Sequence, residues 1–174
     1  NAYSALQHTS FVDSQKIGMW GHSMAGNILL RSAVVKKDIP AIVIWAGAVY
    51  SYEDQRKYGI QDASYRPPQD ANRQSSSRRL LLEKVGSPSA SSPFWQQVAP
   101  TNFLNDLQGA IEIHHVVDDE TVNIGYSRDL VSLLDKTKIP HEYYEYPTGG
   151  HNISEPSFSL AMQRTVEFFK KYLK

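Results

Sequence analysis

Ser23 is the residue of this chain whose surroundings most suggest chemistry. It lies in the run Gly21-His22-Ser23-Met24-Ala25-Gly26, between an apolar stretch and a stretch with helical spacing. Small residues on both sides of a serine are typical of a sharp strand-to-helix turn that lifts the hydroxyl clear of a sheet. Gly21 and Ala25-Gly26 meet this requirement, so Ser23 is a candidate nucleophile. We interpret His22 as a packing residue of the turn and not as a second base.

A serine hydroxyl needs a general base, and a third group must fix the tautomer of that base. Asp119 follows the third predicted strand and His151 follows the fourth, in the chain order serine, acid, histidine that hydrolases with this turn use. Each has a simpler interpretation: Asp119 as a residue favouring the next helix start, His151 as an exposed residue of the loop PTGGHN. Three such residues, each after its own strand and in this order, favour the catalytic interpretation.

The apolar pattern predicts alternating strands and helices that would position these residues. Strands are predicted over 15–20, 41–48, 110–117 and 141–146, and helices over 2–7, 25–35, 124–136 and 156–173. Runs without alternation are typical of a parallel sheet covered on both faces, whereas 141–146 alternates as an edge strand does. The helix residues expected to face the core are Ile28, Leu29, Ala33, Val35, Tyr126, Leu130, Leu133, Leu134, Phe158, Met162, Val166, Phe169 and Leu173.

Residues 50–93 interrupt this alternation. The segment is rich in Ser, Arg, Gln and Pro, but it also contains four tyrosines and the run Leu80-Leu81-Leu82. These apolar groups argue against a disordered linker and predict a mostly helical cap over the sheet. We therefore expect residues 1–174 to form one domain that includes a cap at about 50–93.

The composition excludes several other function classes. Basic and acidic residues number 18 each, so no nucleic-acid-binding surface is indicated. The absence of cysteine excludes disulfides and thiolate catalysis, and leaves the compartment unknown, with the cytoplasm favoured. The longest apolar run, residues 39–50, is too short to cross a membrane. His114, His115 and Asp118 suggest a metal site, but adjacent strand residues point to opposite faces, so we expect neither a metal nor a cofactor.

Four stretches resemble the C-terminal half of the prolyl oligopeptidase-type α/β-hydrolases, which include dipeptidyl- and acylaminoacyl-peptidase-like enzymes and related esterases. The stretches are KIGMWGHSMAGN, SPFWQQVAPTNFL, HHVVDDETV and YPTGGHNIS. The resemblance implies an α/β fold, with a parallel sheet flanked by helices, of which this chain carries the last four strands and a cap insertion. It also implies a serine hydrolase that cleaves an ester or short-peptide bond through an acyl-enzyme.

The resemblance also implies a role for each site residue. The nucleophile matches Ser23 and the base matches His151. The family pattern H-H-G-T-A-D-x-x-V-P favours Asp119 over Asp118 as the acid. Two departures from the pattern, Val116-Val117-Asp118 in place of Gly-Thr-Ala and Asn123 in place of Pro, leave Asp118 as the alternative. The backbone N–H of Met24 is expected to be one oxyanion-hole donor, and the second is expected from a part of the fold that this chain lacks.

The resemblance finally implies partners. The strand before Ser23 would lie in the middle of the complete sheet, so in this chain it would be an exposed edge open to pairing. Because the chain also begins at Asn1 without a methionine, we expect a homo-oligomer or a complex with a missing N-terminal half. The other expected partner is a small ester or peptide substrate, with no nucleic acid and no membrane. One alternative is a catalytically incomplete fragment of such a hydrolase. The other is a binding module, but no sequence feature supports a binding module.

Overall fold

The chain alternates strands and helices, as the apolar pattern predicts. The structure, a computed structural model, describes residues 1–59, 79–87, 89 and 91–174. The strands are β1 (Met19–His22), β2 (Ala41–Trp45), β3 (Ala110–Val116) and β4 (His141–Tyr146). The helices are α1 (Ala2–Gln7), α2 (Met24–Val35), α3 (Tyr52–Tyr58), α4 (79–85), α5 (Pro93–Val98), α6 (Gly125–Leu134) and α7 (Ser157–Tyr172), with a 3₁₀ segment at Pro100–Asp106.

The four strands form one parallel sheet in the order β1-β2-β3-β4. Every residue of β2 and β3 is buried, as expected of apolar strands covered on both faces. The predicted α/β class is confirmed, and β4 is an edge strand as predicted. The first strand begins later than predicted because the Lys16 N–H donates to the Asp13 carbonyl at 3.0 Å, which places residues 13–16 in a turn.

Two apolar layers cover the two faces of the sheet. On one face, Ile42 and Ile44 of β2 pack with residues of α2 and α6. On the other face, Val43 and Trp45 pack with residues of α7. This alternation follows from the two-residue period of a strand, which sends successive side chains to opposite faces of the sheet. Among the helices that the structure describes, none has the length and apolarity needed to cross a bilayer.

The buried face of α2 differs in part from the predicted one. Leu29 and Ala33 are buried as predicted, but Ile28 is 51% and Val35 is 83% exposed. Gly26 and Leu30 are buried instead. Gly26 has no side-chain carbon, which lets α2 approach β2 closely. The buried stripe of α2 therefore passes through this glycine.

The predicted inward face of α7 is wrong at Phe158, Met162 and Val166, which are 41%, 37% and 43% exposed. The buried stripe lies one position away, at Ser157, Ala161, Thr165 and Phe168. Two of these residues are polar and have hydrogen-bond partners: Ser157 Oγ donates to the Thr148 carbonyl, and Thr165 Oγ1 accepts from Trp45 Nε1–H at 3.1 Å. These hydrogen bonds set the rotation of the helix. Tyr126, Leu130 and Leu134 of α6 are buried as predicted.

The predicted cap is described only in part, since residues 60–78, 88 and 90 lie outside the described residues. Its first helix, α3, is joined to α6. Tyr58 Oη donates to Asp129 Oδ2 at 2.7 Å, Lys57 Nζ lies 2.9 Å from the same oxygen, and the Tyr58 and Tyr126 rings are 5.2 Å apart. The described start of the segment is therefore ordered against the α6 side of the sheet.

Candidate active site

Ser23 lies at the junction of β1 and α2 with a backbone conformation that side chains rarely adopt. Its φ is 58° and its ψ is −125°. A non-glycine residue in this region is strained and persists only where its surroundings hold it. The Ser23 N–H donates to the Trp45 carbonyl at 2.9 Å, and the Ser23 carbonyl accepts from the Gly26 N–H at 2.9 Å. The structure thus has the strained strand-to-helix turn that the sequence predicts.

Close packing explains the small residues around this turn. A Cβ atom added to Gly21 would lie 2.9 Å from the Ala25 Cβ and 2.9 Å from Leu29 Cδ1. One added to Gly26 would lie 2.8 Å from Ile44 Cγ2. Larger residues at these positions would push α2 away from β1 and β2, and the serine would lose its position.

The three residues predicted from the sequence meet at the carboxyl ends of their strands. His151 Nε2 lies 2.9 Å from Ser23 Oγ, and His151 Nδ1 lies 2.9 Å from Asp119 Oδ2. The Asp119 side chain is fully buried and the His151 side chain is 19% exposed. Because a carboxylate only accepts, Nδ1 carries the hydrogen, and Nε2 is left to accept the Ser23 proton. Asp118 makes no such contact, since its carboxylate points to other residues.

The Asp119 carboxylate is held from several sides. Its Oδ1 accepts from the Thr121 and Val122 N–H groups at 2.9 and 2.8 Å. Burial acts to raise the pKa of Asp119, but hydrogen bonds from His115, His151 and the Val122 N–H outweigh burial and hold the pKa well below its ordinary value. Asp119 is therefore ionised at neutral pH and can stabilise an imidazolium at His151.

His115 supports this acid, a contact that the sequence analysis missed. Its ring is fully buried, with Nε2 3.2 Å from Asp119 Oδ2 and 3.0 Å from the Val122 carbonyl. Its Nδ1 lies 2.7 Å from Ser127 Oγ on α6. The available signal in the sequence was its position near the end of the third strand, four residues before the acid. The sequence had suggested only a possible metal ligand, and the described residues include no group of side chains able to hold a metal ion.

Two further residues next to the triad also contact the loop that carries His151. Asp118 accepts from the Thr148 hydroxyl at 2.6 Å and from the Gly150 N–H at 2.9 Å. His22 Nε2 lies 2.7 Å from the His151 carbonyl, and the two rings are 4.6 Å apart. The interpretation of His22 as a packing residue is thus incomplete, because its ring also forms a hydrogen bond.

Met24 stands where an oxyanion donor is expected. It is the first residue of α2, so its N–H is among the first four that helix geometry leaves without an intrahelical acceptor. The dipole of this 12-residue helix also favours negative charge at that end. The position therefore suits a developing negative charge beside Ser23 Oγ.

Solved structures share this fold. A puromycin-hydrolysing peptidase from Mycobacterium tuberculosis aligns with a TM-score of 0.74 and 14% identity, covering 99% of this chain and 24% of that one. A dipeptidyl peptidase 4 from Porphyromonas gingivalis aligns with a TM-score of 0.70 and 19% identity, covering 98% of this chain and 22% of that one. A truncated carbohydrate esterase from gut microbiota aligns at 0.69 and 20% identity, covering 99% and 66%. This chain thus spans about a quarter of the two peptidases.

These likenesses confirm the predicted α/β-hydrolase fold, of which the chain has the C-terminal portion. A search of curated proteins found no match. Residues 1–174 match the family described as "BAAT / Acyl-CoA thioester hydrolase C terminal". The match spans the whole chain, including the predicted cap and all three residues of the candidate site. The chain therefore belongs to the BAAT / acyl-CoA thioester hydrolase C-terminal family.

Proposed function

We propose that this protein is a serine hydrolase in which Ser23 attacks an acyl carbonyl and forms an acyl-enzyme. The observation that carries the proposal is the continuous hydrogen-bonded line from Ser23 Oγ through His151 to the buried Asp119 carboxylate. The membership of a hydrolase family supports the reaction class. The strained backbone of Ser23 supports its role, since such strain is concentrated at functional sites.

The geometry gives each residue one task. His151 Nε2 takes the Ser23 proton as Oγ bonds to the acyl carbon, and then gives that proton to the leaving group as its bond to carbon breaks. Water next attacks the acyl carbon while His151 takes a proton from it; the bond between that carbon and Ser23 Oγ then breaks, the carboxylic acid leaves, and the proton returns to Oγ. Asp119 stays ionised and keeps the imidazolium and its tautomer in place. The Met24 N–H stabilises the negative charge that develops on the carbonyl oxygen.

We further propose that thioesters and esters are better substrates than amides. The family description names acyl-CoA thioester hydrolases, whereas the similar structures are described as peptidases and an esterase. All of these reactions use the same nucleophilic attack, but a thiol of pKa about 8.5 leaves far more readily than an amine. With one oxyanion donor assigned, this difference in leaving group should dominate the rate.

A substrate panel tests this proposal. The panel comprises an acyl thioester, p-nitrophenyl esters of increasing chain length and an aminoacyl-nitroanilide, each measured with the wild type, Ser23→Ala and Ser132→Ala. Ser132 is a matched control, because its hydroxyl donates only to the Arg128 carbonyl on the exposed side of α6. We expect hydrolysis of the thioester and the esters, its loss in Ser23→Ala and no change in Ser132→Ala. Equal rates in all three proteins would refute a serine nucleophile.

We also propose that the sheet continues beyond β1 in the active assembly, through a second copy or a separate N-terminal half. β1 is an edge of the sheet, and Trp20 on this strand is 49% exposed. Trp20 and the half-exposed Phe158 both contact the ring of Trp45, so apolar surface adjoins the free edge. A native N-terminal half would bring a loop able to supply the second oxyanion donor, whereas a second copy of this chain would leave the oxyanion hole incomplete. The alternative, a fragment that remains inactive alone, predicts association without hydrolysis.

Light scattering at micromolar concentration tests the proposed pairing of β1. We expect a dimer for the isolated chain and weaker association in Trp20→Lys, while Lys16→Glu, near β1 but before the strand, serves as the charge-change control. A stable monomer with strong esterase activity would contradict the proposal.

A further inference from the structure

The loop that carries His151 lies outside the strands and helices. It joins β4 to α7 and turns at Gly149 and Gly150, whose φ values are 142° and 59°. Inside the loop, the Ser154 N–H donates to the Gly149 carbonyl at 2.8 Å and the Ile153 N–H to the Gly150 carbonyl at 3.0 Å. These bonds shape the loop, but they do not fix its distance from Ser23 and Asp119. That distance depends on contacts with the other two loops of the site.

Asp118 supplies the first of these contacts. Its Oδ2 accepts from the Thr148 hydroxyl at 2.6 Å and from the Gly149 N–H at 3.3 Å, and its Oδ1 accepts from the Gly150 N–H at 2.9 Å. The side chain is exposed, so these bonds contribute little to global stability. They join the acid loop to the turn directly before His151.

His22 supplies the second contact. Because a carbonyl only accepts, the 2.7 Å contact requires a hydrogen on His22 Nε2, which donates to the His151 carbonyl. The His22 ring also lies tilted against the His151 ring, with 4.6 Å between centroids. The turn that carries Ser23 is thus joined to the backbone of the general base itself.

We propose that Asp118 and His22 are positioning residues that hold the His151 loop at the distance catalysis requires. Each directly precedes a residue that contacts the His151 ring: His22 precedes Ser23, and Asp118 precedes Asp119. For each of the two residues that contact the His151 ring, the residue directly before it in the sequence contacts the backbone of the His151 loop. The ring cannot move toward one partner without stretching a backbone contact to the other. This inference rests on the proposed function.

The charge of His22 gives the proposal a distinctive pH dependence. The titratable groups facing His22 are His151, Asp119 and His115, and burial is the largest cause that lowers the pKa of His22. His22 is therefore neutral at neutral pH. Protonated at lower pH, it would place a positive charge beside the His151 ring and disfavour the imidazolium of the reaction. Activity should then fall on the acid side in two protonation steps.

Two variants test the role of His22: His22→Phe keeps an aromatic ring without the hydrogen-bond donor, and His22→Gln keeps a donor without the ring. We expect His22→Phe to lower kcat by about tenfold to a hundredfold at unchanged KM, because a small displacement of a catalytic group has that cost. His22→Gln can still donate, so it should recover most of kcat and lose the second acid step. His8→Gln is the matched control, since His8 contacts only its own helix, through the Ser4 carbonyl.

Asp118→Ala tests the other contact, and Asp106→Ala, which removes an exposed ion pair to Lys37, is its control. We expect a kcat loss of about tenfold, with faster hydrogen exchange at the Gly149 and Gly150 amides only in Asp118→Ala. Exchange decides the matter even if the wild type is no hydrolase, so the two proposals can fail separately. Unchanged exchange in Asp118→Ala, or kcat within twofold of the wild type in both His22→Phe and Asp118→Ala, would overturn the inference.

Discussion

His114 and His115 are neighbours in β3 and both are fully buried, yet they belong to different parts of the molecule. His115 faces α6 and lies 3.2 Å from the Asp119 carboxylate. His114 faces α7, where its Nε2 lies 2.7 Å from Glu112 Oε1 and its Nδ1 lies 2.8 Å from Tyr146 Oη. The difference follows from strand alternation alone, which sends one ring to each face of the sheet.

The comparison shows that a buried histidine is not by itself a sign of function. Within the His114 cluster, Arg164 donates to Tyr146 Oη at 3.3 Å, and that hydroxyl donates to His114 Nδ1 at 2.8 Å. His114 Nε2–H then donates to Glu112. The cluster contacts no residue of the triad. In the proposed mechanism His115 matters because its partner is Asp119, which contacts His151, the proposed general base.

Among variants on the side of the sheet that His115 faces, Asp119→Asn is expected to cause the largest loss of kcat. An amide can pair with the wrong tautomer of His151, so kcat should fall about 10³- to 10⁴-fold. Asp118→Asn should be much milder, because Asp118 contacts only the loop backbone and Thr148. Steady-state kinetics with the better ester of the panel measures both. The reverse ranking would make Asp118 the acid, and small equal losses would remove both aspartates from the triad.

Replacing each histidine by phenylalanine sharpens the comparison directly. His115→Phe should lower kcat about tenfold or more, because the Asp119 carboxylate loses a buried donor. His114→Phe should instead lower the melting temperature and leave kcat within about twofold, because the buried polar groups Glu112 Oε1 and Tyr146 Oη would both lose His114 as a hydrogen-bond partner. Kinetics and thermal unfolding of both variants check this crossed pattern. If His114→Phe lost more activity than His115→Phe, the division between the two faces would be wrong.

The low pKa of Asp119 predicts an effect on stability against pH. A carboxyl whose pKa lies below its unfolded value of about 3.9 stabilises the fold above that pH, and this contribution disappears as the pH falls through the folded pKa. The wild type should therefore lose more of its melting temperature between pH 7 and pH 3 than Asp119→Asn does. If the melting temperatures of the two proteins fell equally over that pH range, the ionised Asp119 carboxylate would not be stabilised by folding.

Glu112→Gln is expected to have the smallest effect. Glu112 Oε2 is buried, and among the described residues it has no hydrogen-bond partner. Glutamine keeps an oxygen for His114 Nε2–H and replaces the carboxyl group by a neutral amide, so the melting temperature should stay equal or rise, with kcat unchanged. A large loss of stability would show that the carboxylate charge itself holds the α7 face together.

Local patterns were enough to predict the turn at Ser23 and the three residues that meet there. The order of the strands, their burial and the small residues at Gly21 and Gly26 are all recorded in short stretches of sequence. The faces of α2 and α7 were predicted less well. Thr165 is buried because its hydroxyl meets the Trp45 indole, 120 residues away in sequence, and apolar periodicity cannot show such a partner.

The supporting residues were missed for the same reason. His22 and Asp118 contact the loop that carries His151, which lies far along the chain from both of them. His115 lies only four residues before Asp119, but only the bend of the chain after β3 brings its ring to that carboxylate. Their residue types allow several roles, and only the folded positions of the loops select one. The predicted cap gave no comparable test, since residues 60–78 lie outside the described part of the chain.

The activated state of Ser23 is the central claim, and covalent labelling tests it most directly. A fluorophosphonate probe is incubated with the folded protein, and intact-mass and peptide mass spectrometry count and locate the adduct. We expect one adduct per chain, on Ser23, with labelling lost in Ser23→Ala and slowed by several orders of magnitude in His151→Gln. A folded wild type that takes up no probe, or takes it up on another residue, would contradict the account.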